Sequence, residues 1–213
     1  NVIQMPLVGL GSSIWATLIA IFFIQFLWFF GLHGQILVNS VMDPIWNTLM
    51  YDNLDAYKAG EHIPHIISKP FMETFTVGLG GSGMTLAVVI LMAFVMKKRQ
   101  YRDVGRLALG AGIFNVNEPV IFGLPIVLNA TILIPWVISP IIVTALNYFV
   151  MAIGLVPAPT GVSVPWTVPV FFSGMIATNS LAGGLLQIVD CLIVGFIWYP
   201  FLRMLDKQPD SAL

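Results

Sequence analysis

Three long apolar runs dominate the pattern of hydrophobic and polar positions along the chain. They cover residues 12–31, 132–155 and 181–202. A run of about 20 apolar residues is long enough to cross the hydrocarbon core of a membrane as a helix. A shorter run at 84–96 extends the pattern, with the glycine-rich residues 76–83 expected to add to its length. The pattern predicts an all-α integral membrane protein with about four to five transmembrane helices.

Two segments break this pattern and are predicted to be re-entrant helical hairpins. In residues 34–75 the apolar pieces are too short to span, and a polar tip is expected at 51–61. In residues 108–129 glycines and prolines interrupt the apolar run. Interrupted backbone is tolerated at membrane depth where it lines a cavity or is buried in protein. A third stretch, 157–169, holds four prolines and is predicted to be irregular. Because it is apolar, we expect it to line or plug a space inside the protein. A short helix is predicted at 171–178.

Composition and charge place the chain in a membrane and give its orientation. Hydrophobic residues make up 58% of the 213 residues and charged residues 9%, whereas soluble domains are about 25% charged. Five of the ten residues at 97–106 are basic, which predicts a cytoplasmic loop, and Arg203 and Lys207 place the C-terminus on the same side. The basic patch is too short to indicate nucleic-acid binding. The single cysteine, Cys191, excludes a disulfide within the chain and a cysteine-pair metal site.

One carboxylate stands alone in the apolar part of the sequence. Glu118 is the only charged residue between Leu107 and Val189, and an acid at such a depth is a candidate functional residue. Asn115 and Asn117 add amide donors and acceptors beside it, and Pro119 interrupts the helix. The alternative is a structural glutamate that a neighbouring helix satisfies.

A second candidate cluster follows the first apolar run. His33 lies between Gly31 and Gly34, which leave space around its ring, and Gln35 and Asn39 follow on the same segment. A lone histidine at the end of a span is more often an interfacial residue than a ligand-binding one, but the glycines and the amides favour a site.

Two other groups of polar residues are weaker candidates. Glu61, His62 and His65 suggest a metal site, but no further ligand has recognisable spacing, so a solvated face is the better interpretation and no metal or cofactor is expected. Asp190, inside the last apolar run, is interpreted as a structural residue paired with a backbone group or with a polar residue of a neighbouring helix.

These residue types fit a sugar permease better than the other classes considered. Carboxylates and amides bind hydroxyl groups, and an aromatic ring such as that of Trp166 can face the apolar side of a pyranose. An intramembrane hydrolase using Glu118 would need a second carboxylate or a nucleophile motif, which the sequence does not display. An ion channel would need a filter or rings of charge. A secondary transporter that releases its substrate chemically unchanged stays open.

The segment Gly112-Ile-Phe-Asn-Val-Asn-Glu-Pro-Val-Ile-Phe-Gly-Leu-Pro-Ile-Val-Leu-Asn129 resembles the Asn-Glu-Pro signature of phosphotransferase-system sugar permeases, the enzyme IIC subunits, in their lactose/cellobiose/diacetylchitobiose branch. Phe-Gly-Leu-His-Gly at 30–34 is similar to the setting of a sugar-contacting histidine in these permeases. The match covers their C-terminal half and essentially the whole chain. We therefore expect the chain to be such a half.

The resemblance implies a disaccharide permease of the bacterial plasma membrane. It implies that Glu118 contacts the hydroxyl destined for phosphorylation and that His33 contacts the same sugar. A separate cytoplasmic enzyme IIB, carrying a phosphocysteine, would phosphorylate the sugar, so the transferring residue is not expected in this chain. It also implies two re-entrant hairpins and a homodimer formed mainly by the N-terminal half.

Overall fold

A computed structural model describes residues 11–124 and 126–208, and every regular element in these residues is a helix. In chain order the helices are α1 (Ile14–Phe29), α2 (Gly34–Ala59), α3 (Lys69–Phe75), α4 (Leu86–Phe94), α5 (Arg99–Ile113), α6 (Glu118–Gly123), α7 (Ala130–Ala152), α8 (Phe172–Thr178) and α9 (Leu181–Lys207).

Helices α1, α7 and α9 form the apolar framework and correspond to the three long runs in the sequence. Helix α7 packs against α1 and α9, and α9 also packs against α4 and α8. Of the described helices, α7 and α9 are long and apolar enough to cross a membrane, whereas α1 is apolar but has 16 residues. One buried cluster includes the indoles of Trp28, Trp136 and Trp198, and a second surrounds Trp46.

The segment 34–75 differs from the predicted hairpin in the position of its turn. Helix α2 is one helix of 26 residues that passes through Pro44 and ends at Gly60, which has a left-handed backbone. The predicted polar tip at 51–61 is therefore wrong, because its residues are helical as far as Ala59. An irregular stretch without helix follows, and the seven-residue helix α3 completes the segment.

The run predicted as a span at 84–96 holds only a short helix. Helix α4 has nine residues and is about 14 Å long at 1.5 Å per residue, well short of a hydrocarbon core of about 30 Å. The residues before it, 76–85, form turns. The number of spanning helices thus stays a prediction.

The basic segment 97–106 is helical from Arg99 onward, so its prediction as a loop is wrong. Its start lies beside the end of α9, because the Asp206 carboxylate accepts hydrogen bonds from the backbone N–H groups of Lys97, at 3.0 Å, and Lys98, at 2.8 Å. The two basic regions predicted to share one side of the membrane therefore lie at the same end of the molecule.

Within 108–129 the helix breaks where the sequence indicated. Helix α5 ends at Ile113, residues 114–117 turn, and the six-residue helix α6 begins at Glu118. Pro125 lies outside the described residues. The proline-rich stretch 157–169 has no helix, as predicted, and α8 lies within the predicted 171–178.

Candidate functional site

A cavity of about 580 Å³ lies between α2, the end of α3, the turns at 76–85, and the α5–α6 turn. Its volume falls in the range of about 300–1,000 Å³ usual for small-molecule sites. Its lining residues are His33, Gln35, Ile36, Asn39, Ser40, Asp43, Glu73, Val77, Gly81, Ser82, Asn115, Asn117, Glu118 and Trp166. The cavity brings together all seven residues that the sequence nominated, from three separate parts of the chain.

His33 caps the N-terminus of α2 and lines the cavity with an exposed side chain. Its Nδ1 accepts a hydrogen bond from the backbone N–H of Ile36 at 3.3 Å. In the neutral imidazole this places the proton on Nε2, which has no partner among the described residues. The Trp28 ring packs on His33 with 4.5 Å between ring centroids. His33 is thus a fixed donor on an exposed side chain.

Gly34 explains why the chain can place His33 so close to the preceding helix. A Cβ atom at this position would lie 2.0 Å from the backbone oxygen of Ile24 in α1. Real Cβ atoms do not approach backbone oxygens so closely, so only glycine lets the start of α2 pack on α1.

The next side chains of the cavity wall on α2 are amides. Gln35 accepts a hydrogen bond from the Ser82 hydroxyl at 2.7 Å, which leaves its two N–H donors for a ligand. Asn39, one turn further along α2, is half-buried and makes no side-chain hydrogen bond with the described residues. Both amides therefore retain hydrogen-bonding capacity toward the cavity.

Asn115 ties three segments of the cavity wall together. Its Oδ1 accepts from the backbone N–H of Gly80 at 2.8 Å, and its Nδ2 donates to the carbonyls of Trp166 at 2.6 Å and Val168 at 3.1 Å. Its φ of 64° lies in the left-handed region, which asparagine tolerates better than most residues. Asn115 thus positions the wall, besides any contact it makes with a ligand.

Asn117 makes a similar contact on the other side of the turn. Its Nδ2 donates to the carbonyl of Ser82 at 2.6 Å, and its Oδ1 has no partner among the described residues. Gly81 lies against it, since a Cβ at Gly81 would be 2.7 Å from the Asn117 side chain. The glycine-rich turn therefore packs directly against the Asn-Glu-Pro segment.

Glu118 is the first residue of α6, and its side chain is exposed to the cavity. Its carboxylate makes no hydrogen bond or ion pair within the described residues. This arrangement differs from that of a structural glutamate, which a partner helix would satisfy. The carboxylate therefore keeps its full acceptor capacity for a ligand.

Trp166 supplies the aromatic face of the site. Its side chain is 53% exposed, while its backbone carbonyl is held by Asn115. A ring with a fixed backbone and a free face suits a flat, partly apolar ligand.

Sequence reasoning missed two carboxylates that also line the cavity, Asp43 on α2 and Glu73 on α3. The ammonium of Lys69 lies 2.7 Å from Asp43 Oδ1 and 2.8 Å from Glu73 Oε1. The available signal was spacing, because His33, Ile36, Ser40 and Asp43 follow one face of a helix.

The other polar residues singled out in the sequence lie outside the cavity. Asn147 on α7 donates to the Asp190 carboxylate at 2.9 Å, so the partner is the second of the two predicted kinds, a polar residue of a neighbouring helix. His65 pairs with Asp52 at 3.2 Å. No group of three or more His, Cys, Asp or Glu side chains suited to a metal occurs in residues 11–124 and 126–208.

Comparisons with known proteins agree on one family. The model of the family "Phosphotransferase system, EIIC" matches residues 1–140. The oligo-beta-mannoside-specific EIIC component of Bacillus subtilis (strain 168) is 64% identical over 207 residues, covering 97% of this chain and 47% of that protein. The cellobiose-specific EIIC component of Geobacillus stearothermophilus is 41% identical over 209 residues, covering 97% of this chain and 46% of that protein.

A solved structure matches the fold as well. The crystal structure of the transporter ChbC, the IIC component from the N,N'-diacetylchitobiose-specific phosphotransferase system, superposes with a TM-score of 0.95 at 41% identity, over 98% of this chain and 48% of that chain. The chain thus spans about half the length of the relatives it matches. It belongs to the phosphotransferase system EIIC family.

Proposed function

We propose that this chain is the sugar-binding part of a permease that carries a disaccharide of the cellobiose, diacetylchitobiose or lactose type into the cell. The observation that supports this proposal is the meeting of the Glu118 carboxylate and the His33 imidazole in one cavity, from two different helical segments. The names of the relatives, which specify oligo-beta-mannosides, cellobiose and diacetylchitobiose, point to the same class of ligand.

The chemistry of the cavity suits a neutral sugar. A hydroxyl of the sugar donates to the Glu118 carboxylate, and His33 donates to a sugar oxygen through Nε2. The free N–H groups of Gln35 and the amide of Asn39 serve further hydroxyls. Trp166 offers its ring to the apolar face of a pyranose. Glu118 would thus contact the hydroxyl that is phosphorylated, and His33 would contact the same sugar.

The proposal includes a bacterial plasma membrane as the setting. Helices α7 and α9 are apolar enough to span it, and the segments 34–75 and 108–129 would enter and leave from one side. The start of α5 and the end of α9 would lie in the cytoplasm, since basic residues concentrate there.

Two partners belong to the proposal. A cytoplasmic enzyme IIB, charged with a phosphoryl group, would transfer it to the sugar hydroxyl next to Glu118. Cys191, the one cysteine of the chain, is unsuited to this transfer because it lies in the middle of α9. A homodimer is the second proposed partnership, formed mainly by residues N-terminal to this half of the permease.

The test is sugar binding by the complete permease, purified from membranes, and by its Glu118→Gln variant. The substitution keeps the shape of the side chain and removes a charged acceptor that contributes about 1.5–3 kcal/mol. We expect a tenfold to hundredfold rise in Kd for whichever of cellobiose, diacetylchitobiose and lactose binds most tightly. His33→Ala should also weaken binding of the same sugar.

Glu61→Gln is the matched control, because Glu61 is exposed and lies outside the cavity. It should leave the Kd unchanged. Normal sugar binding by a folded Glu118→Gln protein would contradict the assignment. Cleavage of the disaccharide on incubation would support the hydrolase alternative, and sugar uptake without any phosphorylated product would support a secondary transporter.

A further inference from the structure

One wall of the cavity follows α2. This wall runs from His33 to Asp43 through Ile36, Asn39 and Ser40. At 1.5 Å per residue, this separation in the sequence corresponds to about 15 Å along the helix axis. A single pyranose ring is shorter than such a wall, so the two ends of the cavity can serve different parts of one ligand.

Glu118 belongs to the His33 end. The neighbouring Asn117 donates to the carbonyl of Ser82 at 2.6 Å, and the Ser82 hydroxyl donates to Gln35 at 2.7 Å. Gln35 lies two residues after His33. This chain of contacts fixes the Asn-Glu-Pro turn beside the start of α2.

The opposite end is built from Asp43, Lys69 and Glu73. The Lys69 ammonium contacts one oxygen of each carboxylate, Asp43 Oδ1 at 2.7 Å and Glu73 Oε1 at 2.8 Å. The second oxygen of each carboxylate makes no hydrogen bond within the described residues. Ion pairing holds both side chains in place and offsets one of their two charges, while acceptors remain for hydroxyl groups.

We propose that Asp43 and Glu73, held by Lys69, bind the sugar ring that lies away from Glu118. This inference rests on the proposed function and adds to it the residues that distinguish a disaccharide from a monosaccharide. Two apolar side chains also line the cavity, those of Ile36 and of Val77, which lies four residues after Glu73. The two carboxylates would disfavour a second ring that itself carries a negative charge, because like charges would then face each other.

The test compares Asp43→Asn and Glu73→Gln with Glu118→Gln in the complete permease, using cellobiose and its monosaccharide, glucose, as a competitor. Each of the two distal substitutions should raise the Kd for cellobiose about tenfold and leave the inhibition constant of glucose within about twofold. Glu118→Gln should weaken both ligands. Asp52→Asn is the matched control, because Asp52 lies on the same helix, pairs with His65 and does not line the cavity.

The double variant Glu118→Gln/Asp43→Asn gives a second readout. Separate contacts to two rings predict that the two losses of cellobiose affinity add. A double variant no weaker than Glu118→Gln alone, or equal losses for glucose and cellobiose in Asp43→Asn, would overturn the inference. Cellobiose binding unchanged in both distal variants would overturn it as well. If the proposed function itself were wrong, Glu118→Gln would bind cellobiose normally. That result would be recognisable whatever Asp43→Asn and Glu73→Gln do.

Discussion

The two helical segments that meet at the cavity, 34–75 and 99–123, are attached to the rest of the molecule in opposite ways. The first is held by side chains that belong to the framework helices. Asn147 on α7 donates to the carbonyl of Phe75 at 3.1 Å, and Gln187 on α9 donates to the carbonyl of Thr74 at 2.9 Å. Both carbonyls lie at the end of α3, where the helix itself provides no donors.

The second segment instead uses its own side chains to hold its neighbours. Asn115 and Asn117, in the turn before α6, bind the carbonyls of Trp166, Val168 and Ser82 and the N–H of Gly80. Removing one of these asparagines would therefore disturb the cavity wall directly.

Charge is also treated differently in the two segments. In the first, Lys69 pairs with Asp43 and Glu73, whereas in the second Glu118 has no partner among the described residues. An unpaired acid in a membrane protein is costly, so its retention favours a role with a ligand. The comparison separates two acids that share a lysine partner from one acid whose whole acceptor capacity stays available for the proposed ligand.

The largest effect that we predict is a loss of stability when the attachment of the first segment to α9 is removed. Gln187 is fully buried, and its Oε1 accepts from the backbone N–H groups of Phe171 at 2.9 Å and Gly174 at 2.8 Å. Gln187→Leu would leave these donors and the Thr74 carbonyl unsatisfied at a cost of about 3 kcal/mol or more. The expected result is a strongly lowered free energy of unfolding in detergent.

Gln100→Leu serves as the control, because Gln100 is exposed on α5 and its substitution should leave stability nearly unchanged. A Gln187→Leu protein as stable as the wild type would show that α3 and α8 do not depend on α9 for their ends. The attachment described for the first segment would then be wrong.

A smaller effect is expected in the second segment, where a substitution should weaken both disaccharide binding and stability. Asn115→Asp keeps the acceptor for Gly80 but loses both N–H donors and places a charge against the Trp166 and Val168 carbonyls. We expect a loss of stability of about 1–3 kcal/mol and about a tenfold rise in the Kd for the disaccharide. The measurements are denaturant unfolding and sugar titration.

Asn179 provides the matched control for this substitution. It is also left-handed, with a φ of 49°, but it is exposed and donates to the Tyr57 hydroxyl outside the main cavity. Asn179→Asp should leave sugar binding intact. Equal losses of affinity in both variants would mean that Asn115 has no special place in the cavity wall.

The sequence was sufficient to predict the framework because each long apolar run identifies its helix locally. It failed at 51–61, where charged side chains suggested a turn. Those charges occupy the exposed side of α2, while Trp46, Leu49, Met50 and Asn53 are buried at helical spacing. Asn53 is buried because its side chain binds the backbone of His65 and Pro159, contacts that a local pattern does not reveal.

The same distinction applies to the site. Glu118 and His33 were identifiable from local signals, a lone acid in an apolar run and a histidine between glycines. Asp43 shares a helix face with His33, but its pairing with Glu73 was not identifiable, because the two acids meet through Lys69 only once α3 folds back on α2. A pair formed by such packing has no signature in either stretch alone.

The smallest effect concerns Asp190, an acid inside the framework helix α9 whose hydrogen bond to Asn147 points to a structural role. Its carboxylate is fully buried and accepts a hydrogen bond from Asn147, which also holds the end of α3. Asp190→Asn keeps an oxygen acceptor at this position and removes any cost of a buried charge. We therefore expect a change in the free energy of unfolding within about 1 kcal/mol and an unchanged Kd for the disaccharide.

Asp190→Leu completes this test, because it removes the acceptor and leaves an Asn147 N–H unsatisfied. It should lower stability by about 1–3 kcal/mol, and the protein that remains folded should still bind sugar with wild-type affinity. A folded Asp190→Asn protein that had lost sugar binding or uptake would contradict the structural role. Asp190 would then act through its charge or its proton, as intramembrane acids do in proton relays, and the contrast with Glu118 would no longer hold.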